Sequence, residues 1–246
     1  MKQNSQKKQK EAKGESDITI HKDVALQKLN NLMTNYISNS DTADKADKLA
    51  YWLEDYTRLL NFEKDFQPSF LKKYSRGDII KVNLGYNVGN EEGGLHYCVV
   101  IDKNNSKESG IVTVVPLTSD KGKPLHFSEV PLGNEIYTKL NEKCNAVDIS
   151  IAKITNSLAE NKENFTKQGS FEIYESLELL KTYVKITSEM EKMKKGSIAM
   201  VSQITTISKQ RIYDPQKNKD ILSGLRISNE SLDLINDKIK QLFIKT

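Results

Sequence analysis

The sequence predicts an α+β fold, with a group of short strands kept apart from paired amphipathic helices. Three observations predict it. Residues 76–101 read as a strand, a glycine-rich loop and a second strand. Apolar residues recur at spacings of three and four in two long regions flanking that strand-rich stretch. A last stripe of this kind, Leu232, Ile235, Ile239 and Leu242, follows Ser228, a good helix cap.

Taken in order, residues 1–17 are polar and lysine-rich, too poor in apolar groups to offset the entropy of ordering, and read as a disordered basic tail. Residues 18–74 read as a helical hairpin. Leu26, Leu29, Met33 and Tyr36 or Ile37 line the first helix. Ser38-Asn39-Ser40-Asp41 breaks the pattern, and Ala46, Leu49, Ala50, Leu53, Tyr56 and Leu60 line the second helix up to Pro68.

Strands follow. Ile80, Val82 and Leu84 alternate with Lys81 and Asn83, which gives one buried face. Tyr97 to Ile101 is a continuous run of β-formers, suited to a strand buried on both sides. Ile111 to Leu117 and Leu125 to Leu132 read as the third and fourth strands. Residues 134–194 read as a second helical hairpin with seams at Val147, Ile151, Ile154, Leu158 and at Ile173, Leu177, Leu180, Val184. Ser197 to Val201 and Leu225 to Ile227 then read as further strands.

Composition sets bounds. Lys+Arg 37 against Asp+Glu 33 leaves a net charge of +4, a mild excess that permits a nucleic-acid partner without requiring one. Cys98 and Cys144 lie far apart and form no C-x-x-C pair, so reduced thiols are expected and no metal site is read. No phosphate-binding loop or other cofactor motif is present in the sequence. No apolar run approaches the roughly 18 residues of a membrane span, and no secretory leader opens the chain, so a cytoplasmic protein without a membrane partner is expected.

The residue best suited to chemistry is His96. An imidazole exchanges protons near neutral pH, and this one stands just after Gly93-Gly94, where a backbone can approach a phosphate closely. Glu91 and Glu92 read as solvated loop acids.

Three blocks in order resemble the MazF/PemK family of ribonuclease toxins. They are Gly77-Asp78 with the Gly93-Gly94 loop and Val99-Val100-Ile101, then Val114-Val115-Pro116-Leu117-Thr118-Ser119, then Ser197 through Arg211. The resemblance implies a small, bent antiparallel β-barrel over residues 75–133 and 195–246, with a closing C-terminal helix and 134–194 as an insertion. It implies a homodimer that binds RNA in a groove, and a small cognate antitoxin; DNA binding also belongs to the family's general description. It implies a metal-independent endoribonuclease in which the ribose 2′-hydroxyl attacks its own phosphodiester, leaving a 2′,3′-cyclic phosphate and a 5′-hydroxyl. Thr118 matches the catalytic threonine and Gln203 the family glutamine, and Gly93, Gly94 and Ser119 are expected at the substrate. Lys209 and Arg211 are candidate phosphate contacts because basic side chains dominate affinity for nucleic acid, with solvated surface charge as the equal alternative. The chain departs from the family where relatives carry Gly-x-Arg-Pro: it has Gly94-Leu95-His96-Tyr97. It also carries Ser202 where some relatives have a carboxylate. A catalytically inactive barrel that binds RNA or protein, a gyrase-directed toxin of the CcdB type and a pure interaction protein are the alternatives.

Overall fold

The computed structural model describes residues 14–160, 167–193 and 196–245. Of the expected tail, residues 1–13 lie outside these, and Glu15 to Asp17 are already helical. The chain forms two compact units that meet in sequence at Asp55 and Tyr56. The first holds α1 (Glu15–Ile37) and most of α2 (Ala43–Phe62). Leu29, Met33 and Tyr36 of α1 are half-buried and Leu26 is exposed, while Ala46 and Leu49 of α2 are buried. The predicted stripe on α2 does not run its full length, for Tyr56 and Leu60 lie exposed.

The second unit is built on a sheet of seven strands: β1 (Ile79–Asn83), β2 (Leu95–Val100), β3 (Ile111–Ser119), β4 (Glu129–Gly133), β5 (Ser197–Met200), β6 (Thr205–Ser208) and β7 (Ile212–Asp214). The order is β4-β5-β3-β2-β1-β7, with β6 also paired to β3. All ladders are antiparallel. The fourth strand starts later than the alternation suggested, since Leu125, His126 and Phe127 are exposed ahead of it. Leu225 to Ile227 form no separate strand but bond at the start of β1, with Ile79 N–H donating to the Leu225 carbonyl and Ile227 N–H to that of Gly77.

One connection dictates the curvature. β6 and β7 sit on opposite edges of the array β6-β3-β2-β1-β7, yet only Lys209–Arg211 join them. Flat, those edges would lie four strand spacings apart, about 19 Å. The step from Ser208 to Ile212 reaches at most about 14 Å even when extended, and here it is a tighter 3₁₀ turn. The sheet therefore has to curl. It does not close: no ladder joins β6 to β7 among the described residues, so the expected barrel is an open, strongly bent sheet.

Curling makes two cores. Ile80, Val82, Cys98, Val100, Val112, Val114, Ile207 and Ile212 fill the concave side together with Tyr74. Burial without an opposing charge pushes the Cys98 thiol far above its ordinary range, so it behaves as an inert apolar group. On the other face Ile79, Val99, Val115 and Leu117 pack with α3 (Glu135–Glu160), α4 (Lys167–Met193) and α5 (Asn229–Phe243). α5 starts where Ser228 Oγ accepts from Ser231 N–H, and Leu232 and Ile235 are buried on it.

The base of the α3–α4 pair belongs to this second core. Ile136, Leu140 and Cys144 of α3 meet Ile186, Met190 and Met193 of α4. The stripe on α3 continues as predicted through half-buried Val147, Ile151, Ile154 and Leu158. On α4 the predicted seam is the wrong one: Ile173, Leu177, Leu180 and Val184 are exposed. The helix is apolar on two faces, and the face holding Leu179, Tyr183 and Ile186 turns inward because it continues into Met190 and Met193, against the sheet. Ile186→Ala is accordingly expected to lower unfolding free energy by about 2–5 kcal/mol, as for other deletions in a closed core. Leu177→Ala is expected to change it by less than about 0.5 kcal/mol. Urea unfolding of both variants would expose a reversed assignment if Leu177 proved the costlier.

Candidate functional site

The strand that organises the site is β3, nine residues long and shared between neighbours. Its ladder with β2 runs Val100↔Val114, Val99↔Val115 and Cys98↔Pro116, then ends. From Leu117 to Ser119 its partner is β5 instead. β2 continues to Leu95 against β1 alone. The two strands therefore part beyond Cys98 and Pro116, and the next rung is made by a side chain: His96 Nδ1 lies 3.1 Å from the Leu117 carbonyl oxygen.

That contact fixes the histidine's chemistry. A carbonyl can only accept, so Nδ1 carries the proton and donates it. Nε2 is left as the atom that gains or loses a proton. It stands 3.4 Å from Glu92 Oε2, a carboxylate placed to hold the imidazolium once it forms. Thr118 lies on the same face of β3 as Val114 and Pro116, and its hydroxyl makes no hydrogen bond among the described residues.

His96 and Thr118 line one open depression of about 200 Å³, with Leu95, Tyr97, Leu117, Ser119, Ser197, Lys192 and Met193. The structure thus brings together three of the residues singled out from sequence, His96, Thr118 and Ser119. Lys192 and Met193 come from the last turn of α4.

The other predicted residues fall elsewhere. Gln203 and Arg211 line a neighbouring depression of about 360 Å³ with Asn87, Glu91, Glu92, Ser202 and Thr205 over an apolar floor of Leu84, Pro116, Ile204 and Ile207. Gln203 is presented there by a bulge. Between the pairs Leu117↔Ala199 and Val114↔Thr205 the β5–β6 edge carries three more residues than β3, and they form the turn Val201–Gln203. Its amide is already engaged: Oε1 accepts from Glu92 N–H at 3.3 Å and Nε2 donates to the Asn90 carbonyl at 3.1 Å. Gln203 in this structure holds the glycine loop. Arg211 donates through Nε to the Asn83 carbonyl at 2.8 Å while facing the depression. Ser202 Oγ is 3.0 Å from Ser128 Oγ.

Lys209 has to be removed from the substrate-binding set. It is 1 % exposed, its ammonium donates to the Ser106 carbonyl at 2.9 Å and lies 5.7 Å from the centre of the Tyr74 ring. Burial pushes its pKa down, partly opposed by Asp102 and Glu108. A cation so placed plugs the end of the curled sheet and meets no phosphate backbone.

Gly93 and Gly94 form the neck of the loop. Gly94 N–H donates to the Gly85 carbonyl at 2.6 Å and its own carbonyl accepts from Leu84 N–H at 2.7 Å. Gly94 is left-handed, φ 80°, with open space beside it. Gly93 is closed in: a Cβ there would stand 2.7 Å from the Gly85 oxygen. Glu92, read from sequence as a solvated acid, proves to be the histidine's partner. Nothing in the local pattern marks it, because the contact needs the loop to fold back over its neck.

Residues 75–163 match the sequence profile of the PemK-like, MazF-like toxins of type II toxin–antitoxin systems. The matched segment takes in β1 to β4 and α3. No curated protein matches the chain. Among the described residues no helix is long and apolar enough to cross a membrane.

Gly93→Ala is expected to distort the neck, since the obstructing atom is backbone and cannot rotate away. Gly94→Ala meets only the left-handed penalty of about 1 kcal/mol. Limited proteolysis across residues 86–92 should be faster in Gly93→Ala than in Gly94→Ala, and equal rates would count against the closed neck.

Proposed function

We propose that the chain, whose residues 75–163 match the PemK-like, MazF-like toxins, is the toxin of a type II toxin–antitoxin pair acting as a metal-independent, sequence-selective endoribonuclease. The observation that carries this reading is the convergence of His96 and Thr118 on one open depression, with the imidazole held by Leu117 and faced by Glu92.

The chemistry follows from these positions. RNA brings its own nucleophile, the 2′-hydroxyl, which is why RNA is cut and DNA is spared. His96 Nε2 accepts the 2′-hydroxyl proton as the O2′–P bond forms, and Glu92 stabilises the resulting imidazolium. Thr118 Oγ1 donates to a phosphoryl oxygen as charge builds on phosphorus. The P–O5′ bond breaks, and a proton from the solvent-open side of the depression completes the 5′-hydroxyl. The products are a 2′,3′-cyclic phosphate and a 5′-hydroxyl. Arg211 and Gln203 line the adjoining depression, whose apolar floor and polar rim suit a nucleobase. The partner expected on this reading is a small antitoxin with an acidic segment, seated on the same surface, and the working unit is a homodimer in the cytoplasm.

Purified protein incubated with RNA in EDTA is expected to yield fragments ending in 2′,3′-cyclic phosphate, and to leave 2′-O-methyl RNA intact. His96→Ala should lower the cleavage rate by about 10²–10⁴-fold, and Thr118→Val by about 10²-fold. RNA bound without cleavage would instead mark an inactive binding fold, and inhibition of gyrase would mark a poison of the other kind.

A further inference from the structure

The depression holding His96 and Thr118 has a wall that the matched segment does not supply. Lys192 and Met193, in the last turn of α4, lie beyond residues 75–163 and line it directly. The position of that turn is set by a buried charge cluster. Lys81 of β1 is 8 % exposed, and its ammonium donates to both oxygens of Glu189 at 3.0 Å. The Tyr97 hydroxyl donates to the same carboxylate, and the Lys81 ammonium lies 5.1 Å from the Tyr97 ring centre. A buried ammonium left without its carboxylate would be costly, so this contact ties α4 to the sheet one turn before Lys192.

Lys192 is the exposed cation of this cluster. It lies 2.8 Å from Glu189 Oε1, but that carboxylate already neutralises Lys81. Two ammonium groups share the Glu189 carboxylate, so neither has it to itself. Lys81 is enclosed, whereas the Lys192 side chain is half-exposed, so Lys192 is the ammonium that an incoming anion can reach from the depression. Among the described lining residues none is a carboxylate, and Lys192 is the one permanent cation. Its neighbours there are the imidazole of His96 and the hydroxyls of Thr118, Ser119 and Ser197. An imidazole that cycles its proton supplies no lasting positive charge to a phosphodiester, and an ammonium does.

We propose that Lys192 binds the phosphodiester of an RNA strand in this depression, so that the α3–α4 pair is part of the site and not an appendage. The assignment rests on the endoribonuclease reading for its catalytic consequence, and on charge and geometry alone for the binding of RNA.

The test uses the full chain in two assays: binding of a fluorescent single-stranded 2′-O-methyl RNA, and cleavage of the corresponding RNA. Lys192→Gln is expected to weaken binding about 5- to 10-fold and to reduce the slope of log affinity against log salt by about 0.7, one phosphate contact on a single strand. It should lower kcat/KM for cleavage at least 10-fold, with Lys192→Arg returning both to within about threefold of the wild type. Lys181→Gln, on the same helix and away from the depression, controls for net charge and should change neither. Unchanged affinity and salt slope in Lys192→Gln, with wild-type RNA cleavage intact, would overturn the inference and leave the nuclease reading standing. Wild-type protein that binds but never cuts would overturn the nuclease reading, while a binding defect confined to Lys192→Gln would still support the contact. Wild-type protein that neither binds nor cuts RNA overturns both.

Discussion

Three residues must carry the chain from one edge of a five-strand array to the other, and most of the second unit follows from that. Lys209–Arg211 are too short to cross a flat sheet, so the strands curl. Curling encloses an apolar interior on the concave side and leaves the convex side to be covered by helices. It also explains the buried lysine. The crossing passes over the end of the curl, where Lys209 N–H donates to the Gly110 carbonyl at 2.8 Å and its ammonium donates to Ser106. A side chain with a long apolar stem and a charged tip covers an opening of that kind while keeping its donors satisfied.

The same bend sets the site. β3 cannot stay paired to β2 along nine residues while also turning to follow β5, so the ladder stops at Cys98 and Pro116. Beyond that point backbone groups need other partners, and the His96 ring bonds the Leu117 carbonyl. One imidazole thereby closes the end of a ladder, acquires a defined tautomer and faces an opening in the sheet. The glycine loop is held against that opening by Gln203 and by the bonds of Gly94 to Gly85 and Leu84, which bring Glu92 within reach of Nε2.

The basic residues show how burial separates groups that look alike in a sequence. Lys209 and Arg211 sit two apart in one turn, yet Lys209 is enclosed and Arg211 faces a depression. Lys192, far from both in sequence, lines the depression with His96 and Thr118. Helix α4 teaches the same lesson with apolar groups. Ile173, Leu177, Leu180 and Val184 and the stripe through Leu179, Tyr183, Ile186, Met190 and Met193 have equally good heptad spacing, but the second is the one that reaches the sheet. Periodicity identifies a helix and its candidate faces; which face is buried depends on what lies beside it.

By itself, the sequence determined what local chemistry can determine. The capped stripe of α5 and the strand–loop–strand around Gly93-Gly94 stand where their residues place them, because each depends on neighbours within a few positions. The alternation at Ile80, Val82 and Leu84 marks the strand, but the expected single buried face is corrected, since Ile79 and Lys81 on the other face are buried too, under the helices. The sequence also pointed to His96 and Thr118, through the loop glycines and the resemblance of the strand that ends in Thr118. Only the tertiary structure decided that the sheet stays open, that Glu92 faces His96, that Gln203 is taken up by the loop, and that Lys192 and not Lys209 lines the depression. Each of those outcomes depends on groups many residues apart meeting across a bent sheet. Spacing along the chain carries no information about such meetings until the bend itself is known.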